Sequence, residues 1–167
     1  MIKGARVARS AEIRRAETPE QLGRAPGFVI RRLYQSYSAM WSRVIGPQLT
    51  GPQFAVLDVL DAYDGSDQAS VGHAAALDAS TMVDVARRLE RRALIVRTRS
   101  PVDARRKVVQ ITSLGESELA RVRERRIVLE ETLFGHKPRR KAEIMTELNA
   151  LSDRWAELAA ELAAADD

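Results

Sequence analysis

Apolar residues in this chain recur mostly at helical spacing, with one interruption where they alternate. From Phe28, the residues Ile30, Leu33, Tyr34, Tyr37, Met40, Trp41, Val44 and Ile45 fall at steps of three and four, which predicts one long amphipathic helix. Gly46-Pro47 ends it. Thr50 with Gln53 three residues on predicts a capping box, opening a second helix through Phe54, Leu57 and Leu60. Two short helices then follow, over 68–76 and 80–92, and the tight turn between them suggests a helix-turn-helix although it holds no glycine. The pattern changes at 94–99, which is β-branched and partly alternating. Ser100-Pro101-Val102-Asp103 makes a turn and 107–112 supplies a second strand, so a hairpin is expected. Ser113-Leu-Gly-Glu116 predicts a capping box for another long helix, which Gly135 breaks. Pro138 opens the last helix.

That last helix carries Ile144, Leu148, Leu151, Trp155, Leu158 and Leu162 at alternating steps of four and three, a seam that wants an apolar partner. A second copy of the chain suits it better than internal packing, because the first and last helices are longer than a compact module requires. Leu148, Leu151, Trp155 and Leu158 are therefore expected in a homodimer interface. Residues 1–27 are polar and basic, have no apolar stripe, and read as an N-terminal arm.

The helix over 80–92 has two different sides. At 100° per residue Met82, Val85, Ala86 and Leu89 gather on one, while Ser80, Asp84, Arg87 and Arg91 centre on the other with Arg88 flanking. Such a helix can rest on a core and present cations outward, the layout of a DNA recognition helix. The ordinary alternative is a plain surface helix.

Charge shifts the balance toward the first reading. The chain is +4 overall, yet residues 79–107 alone hold nine Lys/Arg against Asp84, Glu90 and Asp103, so this short segment carries the whole positive excess. A concentrated basic patch is the footprint of a polyanion binder. Arg105, Arg106 and Lys107 lie at the far end of the hairpin, which suits a wing reaching phosphates or a minor groove.

Other chemistry is scarce. There is no cysteine, so there is no disulfide framework and no thiolate metal site. Two histidines, His73 and His136, leave little for acid–base or metal catalysis, and no phosphate loop, dinucleotide fingerprint or nucleophile elbow is present. We expect no enzyme, no cofactor, no bound metal and no membrane partner. Asp58, Asp61, Asp64 and Asp67, spaced by three, read as a solvated helix end rather than a calcium loop. With neither a secretory leader nor an apolar span, a cytoplasmic protein is expected.

Several short motifs now fall in a familiar order. Leu49-Thr50-Gly51-Pro52-Gln53-Phe54, Asp78-Ala79-Ser80-Thr81, Arg88-Leu89-Glu90-Arg91, Leu94-Ile95, Asp103-Ala104-Arg105-Arg106 and Ile111-Thr112-Ser113-Leu114-Gly115 together resemble the MarR family of transcriptional regulators over 28–163. The resemblance implies a mainly α, winged helix-turn-helix fold with long N- and C-terminal dimerisation helices: four helices, a strand, the wing, a second strand and two more helices. It divides the chain into the arm at 1–27, a dimerisation helix at 28–49, the DNA-binding domain at 50–112 and C-terminal dimerisation helices at 113–167. Two positions depart from the family pattern. Ala93 stands where glycine is usual, and Val71-Gly72-His73-Ala74 lacks the usual bulky Leu-Ala pair.

The implied function is a repressor on a pseudo-palindromic duplex, with Ser80, Thr81, Asp84, Arg87 and Arg88 toward the major groove and Arg105, Arg106 and Lys107 at the wing. The resemblance further implies a small-molecule effector, an aromatic carboxylate, a phenol or a related CoA thioester. Tyr34, Tyr37 and Trp41 share a helix face whose edge carries Arg31, which suits a planar ring bearing an acid, and His73 offers a further hydrogen bond. Plain packing is the competing reading of those aromatic residues. A helical protein–protein adaptor is the alternative function, and salt-sensitive DNA binding separates the two.

Overall fold

The structure is a computed structural model and describes residues 18–99 and 107–165. Two compact units part after Met40. The first contains helix α1 (Glu20–Arg24) and most of α2 (Pro26–Val44). Ala25 between them is extended, as the residue before a proline prefers, and Pro26 opens α2. Glu20 pairs with Arg24 across one turn at 2.7 Å. On α2 the guanidinium groups of Arg31 and Arg32 both lie 5.8 Å from the Phe28 ring, while Ile30, Leu33, Tyr34 and Tyr37 are exposed.

The second unit begins with the last turn of α2 and continues through α3 (Gly51–Ala62), β1 (Ser66–Asp67), α4 (Gln68–Ala74), α5 (Ala79–Arg91), β2 (Ile95–Arg99), β3 (Lys107–Ile111), α6 (Ser113–Phe134) and α7 (Pro138–Ala165). The capping box expected at Thr50 is present. Its hydroxyl accepts from the Gln53 amide and the Gln53 side chain accepts from the Thr50 amide. Helix α3 buries Phe54, Val56, Leu57 and Leu60, and it touches α4, α5, α6 and β3, so the core is built around it. Trp41 closes one end of this core. It is buried, lies 5.4 Å from the Phe54 ring, and its indole N–H donates to the Leu49 carbonyl at 2.7 Å.

The sheet is antiparallel in the order β1-β3-β2, one strand more than the expected hairpin. Two residues, Ser66 and Asp67, pair with Val109 and Val108. So short a strand has no periodicity to betray it. The cap of α6 also differs from expectation. Thr112, one residue earlier than Ser113, accepts from the Gly115 amide at 3.0 Å, and its own hydroxyl donates to the Ala93 carbonyl at 2.8 Å.

The four spaced aspartates are not a solvated helix end. Asp58 and Asp61 grip the guanidinium of Arg123 on α6 at 2.7 Å each. Asp64 accepts from the Ile111 amide at 3.0 Å, continuing the sheet edge beyond β1, and Asp67 caps α4. The four carboxylates thus serve three structural tasks, Asp58 and Asp61 sharing one.

Helix α7 is long and yet, like the five-residue α1, buries none of its residues. Met145, Leu148, Leu151, Trp155, Leu158 and Leu162 are all exposed along it. No described helix is long and apolar enough to cross a membrane.

Both helices of the helix-turn-helix end in the same way, each on an alanine in the left-handed region. Ala76 has φ 54° and Ala93 has φ 56°. In each case the next residue's amide reaches back across the last turn, Leu77 to Gly72 at 2.8 Å and Leu94 to Leu89 at 3.0 Å, a Schellman end normally made by glycine. An L-residue in this conformation costs roughly 1–2 kcal/mol, partly offset by its lower unfolded-chain entropy. Ala93→Gly is therefore expected to stabilise the fold by up to about 1 kcal/mol. A thermal midpoint that rises by a few degrees checks this, and one that falls contradicts it.

Candidate nucleic-acid interface

Helix α5 is held on three sides. Its inner stripe of Met82, Val85, Ala86 and Leu89 is buried. Met82 packs so closely on Gly72 of α4 that a Cβ there would meet Met82 Cγ at 3.0 Å, and this lets the two helices approach. At its start Asp78 accepts from the Thr81 amide at 2.8 Å and from the hydroxyls of Ser80 and Thr81 at 2.6 Å each. Those hydroxyl donors, first of all that of Ser80, hold the Asp78 carboxyl well below the usual carboxylate range. The Schellman turn at Ala93 closes the other end.

What α5 then shows to solvent is Ser80, Val83, Asp84, Arg87, Arg88 and Arg91, all exposed. Thr81 is half-buried. Because Ser80 and Thr81 spend their protons on Asp78, they face outward as hydrogen-bond acceptors. Arg87 forms an ion pair with Asp84 one turn back. Arg88 and Arg91 form none among the described residues.

The hairpin adds a second set of cations. Arg99 stands opposite Lys107 across the strand pair, and both are exposed. Arg105 and Arg106 lie outside the described residues. Two further arginines of the basic segment are used inside the fold. Arg92 donates to the Gln48 carbonyl and to Glu118, and Arg97 pairs with Glu90. Among the described residues the outward charge is thus smaller than their sequence count, and it is concentrated on Arg88, Arg91, Arg99 and Lys107.

A MarR family model matches residues 49–107, the stretch that builds this surface. The transcriptional regulator HosA of Escherichia coli O111:H- is 35% identical over 91 residues, covering 54% of this chain and 67% of HosA. The chain belongs to the MarR family. Among solved members, the PcaV transcriptional regulator from Streptomyces coelicolor in complex with its natural ligand superposes with a TM-score of 0.74 at 30% identity, covering 84% of this chain and 99% of PcaV. BpsR of Bordetella bronchiseptica, whose DNA binding is regulated by 6-hydroxynicotinic acid, gives a TM-score of 0.72 at 26% identity, covering 81% and 99%. The matched relatives are transcriptional regulators, and the winged helix-turn-helix expected of a MarR protein is the fold observed.

Against that MarR frame the expected residues separate. Ser80, Asp84, Arg87 and Arg88 share the exposed side of α5, with Thr81 beside them at the cap, and Lys107 lies at the end of the hairpin. Val83 and Arg99 belong to the same surface and were missed. Val83 follows Ser80 by three residues and precedes Arg87 by four, so its angular position gave the signal. Arg99 needed only the strand register. Trp41 is a core residue, whereas Tyr34 and Tyr37 on the same helix are exposed. His73 is exposed on α4, where it lines an open cleft of about 510 Å³ with Gly72, Leu77, Met82, Val83 and Lys107.

The unequal pairing of Arg87 and Arg88 has a measurable consequence. Arg88→Ala should weaken DNA binding more than Arg87→Ala, by about 1–3 kcal/mol if Arg88 meets a guanine edge. Asp84→Ala should tighten binding to random-sequence duplex, because it releases Arg87 and removes a repulsive carboxylate. Fluorescence anisotropy on the three variants checks both, and equal losses at Arg87 and Arg88 would contradict the assignment.

Proposed function

We propose that the protein is a homodimeric repressor that binds a pseudo-palindromic DNA duplex and is released by a small aromatic acid. The observation that carries this reading is the outward face of α5, a rigidly seated helix that exposes arginines, one of them paired with Asp84, a serine hydroxyl and one valine. Arginine meets guanine O6 and N7, a hydroxyl accepts from an exposed base amine, and a valine suits a thymine methyl. Helix α5 enters the major groove in this reading. The hairpin cations Arg99 and Lys107, with Arg105 and Arg106, follow the phosphates or the adjoining minor groove.

The second copy is inferred from α7. A stripe of leucines with Trp155, exposed over a 28-residue helix that buries nothing, is more apolar surface than a soluble monomer keeps. Leu148, Leu151, Trp155 and Leu158 form the centre of the interface, and its two-fold symmetry gives half-sites about 10 bp apart. Sedimentation at micromolar concentration is expected to show a dimer that binds one duplex. Its affinity should fall steeply with salt, and footprinting should show two protected half-sites. A monomer, or affinity indifferent to salt, argues instead for the adaptor reading.

For the effector, support comes from the 6-hydroxynicotinic acid named for BpsR, from the natural ligand bound by PcaV, and from α2 itself. Arg31 supplies an anion contact and the exposed rings of Tyr34 and Tyr37 supply flat surface on the same helix. Trp41 contributes packing, its N–H being committed to Leu49, and His73 remains accessible on α4. Phenolic acids, hydroxynicotinic acids and their CoA thioesters are the compounds to screen. Arg31→Ala is expected to bind DNA as the wild type does while losing at least about tenfold in sensitivity to the effector, the loss of one charged hydrogen bond. Release at an unchanged ligand concentration would remove Arg31 from the site.

A further inference from the structure

Arg97 is the cation of the basic segment that a DNA-binding protein can least obviously spare, because it lies on the hairpin and yet is turned inward. Its side chain is only 14% exposed. On β2 it stands opposite Val109, two residues before Arg99 on the same side of the strand. One terminal nitrogen donates to Glu90 in the last turn of α5, and the other reaches Gln68 Oε1, at the start of α4, at 3.4 Å. Its Nε is buried with no partner among the described residues. The hydrogen bond from Arg97 is the main cause holding the Glu90 carboxyl below its ordinary value, and the Lys107 charge adds to it. A single guanidinium therefore touches the hairpin, the outward-facing helix and the helix that supports it.

Desolvating that charge is expensive, and leaving Nε unpaired adds to the cost. An exposed arginine at the same place would add a phosphate contact at no such cost. Burial makes sense when geometry matters more than charge.

We propose that Glu90 and Arg97 form a positioning pair that sets the hairpin against α5, so that Arg99 and Lys107 reach the same duplex as Arg87 and Arg88. The pair touches no DNA itself. It acts through the angle between two surfaces, each of which would bind alone only weakly. This inference rests on the DNA-binding reading above.

Glu90→Gln separates positioning from plain electrostatics, because the two predict opposite signs. Removing an acid beside a polyanion should tighten binding if only charge counts. If the pair positions the hairpin, binding of the footprinted duplex should weaken by roughly 3–10-fold and the salt slope should fall by about one phosphate contact. Hydroxyl-radical protection from the hairpin should be lost while major-groove protection from α5 stays. Glu90→Ala should show the same pattern more strongly. Should Glu90→Ala fail to fold, Glu90→Gln decides alone, since it keeps the size of the side chain and removes only the charge that holds Arg97. A folded Glu90→Gln protein that binds as tightly as wild type, or more tightly, overturns the proposal. Wild-type protein with no salt-sensitive binding would remove both readings, whereas normal wild-type binding with a tighter variant removes only this one.

Discussion

The carbonyl of Leu94 and the bare backbone of Gly115 meet at the base of the hairpin. A Cβ at Gly115 would lie 2.2 Å from that oxygen, so no larger residue fits without moving main chain. The same carbonyl accepts from the Thr112 amide at 3.1 Å, and the neighbouring Ala93 carbonyl accepts the Thr112 hydroxyl. Three elements are joined there: the end of α5, the first residues of the hairpin and the start of α6. With α5 fixed through its last turn, a displacement of α6 is passed to the reading surface through backbone rather than through soft side chains. The left-handed Ala93 belongs to this junction, which is why its conformation persists without glycine.

Charge in the basic segment is divided by role. Arg92 and Arg97 are spent on Gln48, Glu118 and Glu90, and Arg87 is partly balanced by Asp84. Exposed ion pairs such as that of Arg87 contribute little to stability, so their function is better sought in tuning. An arginine leaning on an aspartate is held near one rotamer, and sequence-specific contact benefits from that restraint more than from raw potential.

Much of this architecture was legible from spacing alone. The capping box at Thr50 is a local four-residue motif, and the two-sided character of α5 and the apolar stripe on α7 each repeat a local rule over many residues. What stayed hidden depended on distant partners. Periodicity placed Trp41 with Tyr34 and Tyr37 on one stripe but could not say that Phe54 and the Leu49 carbonyl cover only the first. The count of nine cations could not show which were already paired, because Glu118 and Gln48 lie far along the chain. The strand at Ser66–Asp67 is too short for any pattern, and it exists because β3 offers it an edge.

The row of aspartates bears on autonomy. Asp58 and Asp61 lie before the hairpin and Arg123 lies well after it, so their bond closes a loop around the entire reading surface. A fragment cut after Thr112 would leave two carboxylates one turn apart on α3 without their counter-ion, and an exposed apolar flank where Leu119 and Val122 had packed. The segment from α3 to β3 is therefore not a detachable module. Residues from the far side of the hairpin complete its core, and the long helix that supplies them is a structural member of the unit.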